Sequence, residues 1–222
     1  IEGETLAGVY SANEYLTRIN LMKAYREGYD TPLKISGSAA IIGGGNVAMD
    51  AARCAKRMGA KHVYVLYRRD EEEMPARKEE VHHAKEEGIE FMLLTNPVRV
   101  LDDGTGKVGG LECVKMRLTA PDESGRRAPK VVEGSNFVMD VDTVVMSLGT
   151  SPNPLIRSTT PGLETNKKGC LQVNEETMAT SREGVYAGGD AVTGAATVIL
   201  AMGAGKKAAA SMHEYLTKKH SK

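Results

Sequence analysis

Residues 39–59 read "AAIIGGGNVAMDAARCAKRMG", and the fold turns on how they are parsed. Ala39 to Ile42 has the length and composition of a short buried strand. From Val47 to Met58 the apolar positions recur at helical spacing until Gly59 stops the run. Between the two lies Gly43-x-Gly45-x-x-Ala48. In a strand–turn–helix unit, Gly43 permits the tight turn and Gly45 lets the backbone approach a pyrophosphate with no Cβ in the way. Ala48 lets the helix lie close on the strand. The N–H groups of Asn46 and Val47 then stand at a helix N-terminus, where an anion is favoured. A bare GxGxxA arises by accident, and a purely structural glycine turn is the alternative. Here the flanking strand, helix and following strand all fall where dinucleotide binding requires them.

Working outward, the next strand is "HVYVLY" (62–67), followed by a charged helix from Ala76 to Glu87 that Gly88 stops, and a strand "IEFMLL" (89–94). Strands alternating with helices imply a parallel, doubly wound sheet with helices on both faces. The second strand runs into "RRDEEEMPAR" (68–77). Where NAD-binding versions of the fold place an acid that hydrogen-bonds the ribose 2′-OH, this chain has Arg68 and Arg69. A carboxylate there would repel a 2′-phosphate, whereas guanidiniums bind one through charge-assisted, bidentate bonds. Arg77, at the start of the next helix, reaches toward the same place. The expected ligand is therefore NADP(H); the competing reading has these arginines paired with Asp70, Glu71, Glu72 and Glu73.

After Thr95 the pattern changes to short strands joined by Gly and Asp turns. This is an antiparallel β-meander inserted before the last parallel strand, "DTVVMSLG" (142–149), with "DESGRR" (122–127) as its polar hairpin tip. The meander is expected to be structural, and replacing its tip to leave nucleotide affinity unchanged. Upstream, Ser11-Ala-Asn-Glu14 is a capping box for a helix running to about Tyr25. Downstream, Pro152 and Pro154 mark a boundary. A short β-rich piece then leads to "VYAGGDAVTGAATVILAMGAGKKAA" (185–209): a strand, a glycine turn, an acid and a long apolar helix. That is how a flavin-binding fold presents a carboxylate to a sugar-like hydroxyl.

The 222 residues carry 29 basic and 29 acidic side chains, so no overall field draws the chain to nucleic acid or an acidic membrane. No apolar stretch approaches the ~20 residues that span a bilayer. Cys54, Cys113 and Cys170 form no CxxC, which speaks against a dithiol centre, an iron–sulfur cluster or a zinc site in these residues. They suit a reducing, cytoplasmic setting. His82-His83 lies on a charged helix face and reads as surface, and Asp50 as a complement to the positive helix end. The chain opens on Ile1 within ordinary folded sequence, which reads as a fragment.

Taken together, "GGGNVAMDAARCAKRMGA", "YRRDEEEMPARKEEVHHAKEEGIEF", "SLGTSPNP" and "GVYAGGDAVTGAATVILAMGAGKKAA" closely resemble the small, NADPH-oxidising subunit of glutamate synthase. They are also similar to related NADPH-dependent flavoprotein subunits of transhydrogenases and dihydropyrimidine dehydrogenase. The resemblance implies an NADP(H)-binding domain at 34–149 inserted into an FAD-binding domain, whose segments are 1–33 and 150–222. It implies that the first FAD-binding unit and the iron–sulfur clusters lie outside this chain, leaving an FAD half-site. Asp190 would bind flavin hydroxyls, Gly189, Ala196, Thr197 and Val198 would approach the flavin, and Gly149 with the "TSPN" turn would lie near the nicotinamide–flavin junction. NADPH would reduce FAD, and electrons would pass to a glutamate synthase large subunit or equivalent acceptor, with no catalytic side chain needed. Two alternatives remain: a transhydrogenase or ferredoxin-linked subunit, and a non-catalytic NADP(H)-binding module, against which the Asp190 segment argues.

Overall fold

The computed structural model describes residues 1–33, 36–123, 125, 127–149 and 151–220. The domain boundaries expected at 34 and 150, and Ser124 and Arg126 of the hairpin tip, lie outside the described residues. The chain forms two compact units, Ile1–Leu148 and Gly149–Lys222.

The first unit is built on a five-stranded parallel sheet. Its strands are β1 (Val9–Ser11), β2 (Ser38–Ile42), β3 (His62–Tyr67), β4 (Glu90–Leu93) and β9 (Thr143–Met146), in the order β1-β9-β2-β3-β4. The order reverses at β2, which pairs with β3 on one side and β9 on the other. In open α/β sheets, ligands bind beyond the carboxyl ends of the strands at such a switch point. Alternation along β2 sorts the core. Ala39 and Ile41 face α2 (Asn46–Arg57), α3 (Lys78–Glu86) and α1 (Ala12–Leu16). Ala40 and Ile42 face the antiparallel sheet of β5 (Thr95–Asp102), β6 (Val108–Pro121), β7 (Arg127–Val131) and β8 (Phe137–Met139). The expectation of helices on both faces is thus corrected. The connection from β4 to β9 is the meander, and Leu111, Cys113 and Met139 of its strands fill the face a crossover helix would have covered.

Two further corrections concern the first residues. Val9–Ser11 is a strand that the sequence did not announce, paired in parallel with Val144–Met146. With buried Tyr15 and Ile19 beside it, it forms the edge of the parallel sheet next to β9. The Ser11 cap is present, its hydroxyl accepting from the Glu14 N–H at 3.2 Å. The helix, however, gives way to a π-type turn over Thr17–Leu21, and Lys23 adopts a left-handed φ of 54°, so helix does not reach Tyr25. No helix among the described residues is long and apolar enough to cross a membrane.

Helices α2 and α3 are tied by Arg53, which reaches Glu80 (3.0 Å) and Glu87 (2.9 Å), and by Arg57, which reaches Glu87 at 2.6 Å. Hydrogen bonds from Arg57, more than those from Arg53, hold the Glu87 carboxyl below its usual range. A depressed carboxylate contributes stability above its unfolded value, about 4.3, and loses it as pH falls through the folded value. Glu87→Gln is expected to lower the urea midpoint at pH 7, with the deficit shrinking toward pH 3. A deficit constant with pH would assign the loss to packing instead.

Candidate functional site

Three glycines at the end of β2 build the centre of the first unit, each for a different reason. Gly43 has φ +142°, and a Cβ there would stand 2.4 Å from the Ser147 carbonyl oxygen at the end of β9. At Gly44 a Cβ would meet the Tyr67 ring at 2.7 Å. Gly45 has extended backbone (φ −93°, ψ 175°), and the nearest atom to its Cβ position is Pro75 Cγ at 4.0 Å. The protein itself does not require a glycine at that position. Ala48 and Met49 are the first amides of α2 to bond back, to the Gly45 carbonyl at 3.0 and 3.2 Å. The N–H groups of Asn46 and Val47 are left at the helix mouth, where the dipole favours an anion. Ala48, fully buried, is the close-packing residue the motif calls for.

The loop after β3 is braced on both sides. The Asn46 side chain accepts from the Arg77 N–H at 2.9 Å, Ala76 N–H donates to Gly44 O at 3.0 Å, and Tyr67 Oη donates to Glu73 O at 2.7 Å. Arg77 is the N-cap residue of α3. Among the described residues, the guanidiniums of Arg68 and Arg77 have no hydrogen bond or ion pair, and both residues are exposed. Arg69 differs: it donates from Nε (3.2 Å) and Nη2 (2.6 Å) to the carbonyl of Arg127 in the meander. The arginines do not pair with the acidic run beside them. Glu71 pairs with Lys85 at 2.7 Å, and Glu73 accepts from Arg127 Nε at 2.6 Å. Tyr67 and the Asn46 side chain were not singled out in the sequence, although Gly44, the middle glycine of the three, is the one whose Cβ would meet Tyr67.

In the second unit the expected strand at Val185 is a single bridge between Ala179 and Tyr186. The acid follows as the first residue of α5 (Asp190–Thr193), and the long helix α6 begins at Val198 and runs to His220. Ala196 and Thr197 precede it, and Leu200 and Ala201 bond back to Thr197 O at 3.1 Å. Gly189 is buried, with φ +65° and its Cβ position 3.2 Å from Ala201. At Gly188 a Cβ would meet Ala204 at 2.9 Å, so the glycine pair serves the close approach of α6. Asp190 Oδ1 accepts from Ala196 N–H at 3.3 Å, which organises the turn. Asp190 also lines a pocket of about 220 Å³ with Pro152, Asn153, Arg157 and Ala195. Gly149 has φ +84° in open space, and Val198 and Ile199 are 76% and 77% exposed.

The remaining candidates resolve as bystanders. Asp50 is outside the first turn of α2. Burial, then Glu80, pushes its carboxyl up. His82 lies near Glu86 at 3.2 Å on the surface. The three cysteines are free, and burial pushes the Cys113 thiol up to about 12. No group of side chains suited to a metal ion occurs among the described residues.

The chain is similar to several known proteins. The chain is 44% identical over 177 residues to the NADP(+)-dependent formate dehydrogenase subunit beta of Moorella thermoacetica, covering 80% of this chain and 25% of that one. It is 38% identical over 219 residues to the glutamate synthase [NADPH] small chain of Halomonas elongata, covering 96% of this chain and 46% of that one. It thus spans about half or less of the curated relatives it matches. Among solved structures, FprA of Mycobacterium tuberculosis in complex with NADPH superposes with a TM-score of 0.69 at 19% identity, over all of this chain and 60% of that one. At that identity the likeness speaks to the fold alone. Residues 5–207 match the pyridine nucleotide-disulphide oxidoreductase family, and the chain belongs to it.

Proposed function

We propose that this chain is the NADP(H)-binding portion of a glutamate synthase-type flavoprotein oxidoreductase, with an FAD half-site in its second unit. One observation carries the reading: among the described residues the guanidiniums of Arg68 and Arg77 have no hydrogen bond or ion pair, and the Arg77 N–H is bonded to Asn46, the first residue of α2. Gly43, Gly45, Asn46 and Val47 would hold the pyrophosphate of NADP(H). Arg68 and Arg77, with Arg69 bracing the loop, would hold the 2′-phosphate. Asp190, Gly189, Ala196, Thr197 and Val198 would lie along FAD, and Gly149 near the meeting of the two cofactors. Bound together, the cofactors would supply hydride-transfer chemistry, and the electrons would be destined for iron–sulfur centres outside this chain and for glutamate formation in a large subunit or equivalent acceptor. The chain's own residues bind, orient and exclude water; no side chain is needed to move a proton.

Titration of the protein with NADPH and NADH tests the first half of this reading, with a preference for NADPH of tenfold or more expected. Equal affinities would defeat it. Asp190→Asn tests the second half. Loss of a charged hydrogen-bonding partner costs about 1.5–3 kcal/mol, so FAD affinity of the whole protein should fall at least tenfold while NADPH affinity holds. Unchanged flavin retention would remove Asp190 from the site. The 44% identity to a formate dehydrogenase subunit favours a second reading, in which the same cofactor pair serves another acceptor. NADPH oxidation coupled to 2-oxoglutarate plus glutamine, against oxidation coupled to a ferredoxin, separates the two.

A further inference from the structure

Four consecutive acids, Asp70 to Glu73, follow the arginine pair. Left unpaired, they would oppose a phosphate bound to Arg68 and Arg77, because like charges within a few ångströms repel strongly at a partly desolvated site. The structure gives each acid a partner other than those two arginines. Asp70 accepts from the Glu71 N–H at 2.8 Å, and Glu71 takes Lys85. Glu73 takes the Asp70 N–H at 3.1 Å on one oxygen and Arg127 Nε at 2.6 Å on the other. Arg127 Nη2 also lies 3.4 Å from Glu72.

Arg127 therefore grips the loop twice, its guanidinium on Glu73 and its backbone carbonyl on Arg69. The Glu73 side chain is only 14% exposed and that of Arg127 32%, which sets this contact apart from an ordinary solvated surface pair. Arg127 itself stands on a firm base. It opens β7, which pairs with β6 at Pro121↔Arg127 and Leu118↔Pro129, and Ala128 N–H donates to Thr119 Oγ1 at 3.0 Å. Strand β6 is in turn anchored to the parallel sheet through Leu111 and Cys113.

We propose that Arg127 is a positioning residue for nucleotide choice. It offsets the charge of the Glu73 carboxylate, lies within reach of Glu72, and clamps the 68–77 loop in the shape that leaves Arg68 and Arg77 free for the 2′-phosphate. The antiparallel sheet is then the base of the selectivity loop, and on this proposal replacing the 122–127 tip would lower NADPH affinity through the loss of Arg127, against the expectation that affinity is unchanged. The inference rests on the NADP(H) reading above.

The test compares the whole protein with Arg127→Ala, Arg127→Lys, Glu73→Gln and the Arg127→Ala/Glu73→Gln double variant. NADPH and NADH titrations at one moderate salt concentration are read beside amide exchange of residues 70–77 without nucleotide. Arg127→Ala should weaken NADPH binding about tenfold or more, leave NADH within about twofold, and speed exchange in the loop. Arg127→Lys should recover part of the loss, since it keeps the charge without the fork. The double variant should bind NADPH better than Arg127→Ala alone, because the exposed repulsive carboxylate is gone. A merely structural clamp would not give that rescue. An unchanged NADPH/NADH ratio in Arg127→Ala, equal loss of both nucleotides, or unaltered loop exchange each overturns the proposal. A wild-type protein with no preference for NADPH defeats the underlying NADP(H) reading instead, and the exchange measurement judges the clamp separately.

Discussion

Gly43→Ala should destabilise the protein by about 3 kcal/mol or more, a large share of the roughly 5–15 kcal/mol that holds a domain together. Two costs combine. The φ of +142° is one that an L-residue rarely adopts, and the new methyl carbon would sit 2.4 Å from the Ser147 carbonyl oxygen. Neither backbone can retreat. Gly43 N–H donates to Leu66 O at 3.0 Å and Ser147 N–H donates to Ile42 O at 2.8 Å, so β2 is held between its neighbours. Gly45→Ala makes the opposite expectation. Its backbone is extended and its nearest neighbour is 4.0 Å from the added carbon, so stability should stay within about 0.5 kcal/mol. The methyl would instead stand in the mouth of α2 and weaken NADPH and NADH alike, tenfold or more. Urea unfolding without nucleotide, paired with titration, separates the two variants. A Gly43→Ala protein as stable as the parent, or a Gly45→Ala protein with parental affinity, would show that the turn is misread.

The contrast between these glycines also shows what was legible in the sequence. The strand–glycine–helix unit at 39–58 could be read because its signals are local: apolar spacing, a residue free to take positive φ, and a small residue at the close approach. Strand β1 could not. Its three residues are a strand only because β9 lies alongside them, and that partner is far along the chain. The same reason hid the role of Arg127, since nothing near it in sequence predicts a carboxylate from the loop after β3. The adjacent arginines show the limit most sharply. By spacing they are equivalent, yet Arg69 is committed to a meander carbonyl while Arg68 has no hydrogen-bond or ion-pair partner among the described residues. In the second unit the acid and the long helix were legible, but the strand before them was not realised. Among the described residues, the apolar run at Val185–Ala187 pairs through the single Ala179–Tyr186 bridge.

That difference between neighbours sets the second large expectation. Arg68→Ala and Arg77→Ala should each weaken NADPH binding roughly ten- to a hundredfold, the loss of one charged hydrogen-bonding partner at about 1.5–3 kcal/mol. NADH, which has no 2′-phosphate, should be bound by both variants as by the parent. Neither variant should alter stability in urea, because neither guanidinium is bonded to any described residue. Arg69→Ala should behave otherwise. Its guanidinium holds the Arg127 carbonyl at 2.6 and 3.2 Å, and its removal leaves that acceptor without this bond and the loop without one of its braces. The expected signature is a measurable loss of stability together with weaker NADPH binding. The titrations need a fixed, moderate salt concentration, with a second series at higher salt, because phosphate–guanidinium pairs are screened over about 8–10 Å near physiological ionic strength. The NADPH preference of the parent should narrow at high salt, and that of Arg68→Ala should narrow less. If Arg68→Ala and Arg77→Ala lose NADPH and NADH in equal measure, the free guanidiniums serve the pyrophosphate or the fold, and the basis for choosing between the two nucleotides must lie in other residues.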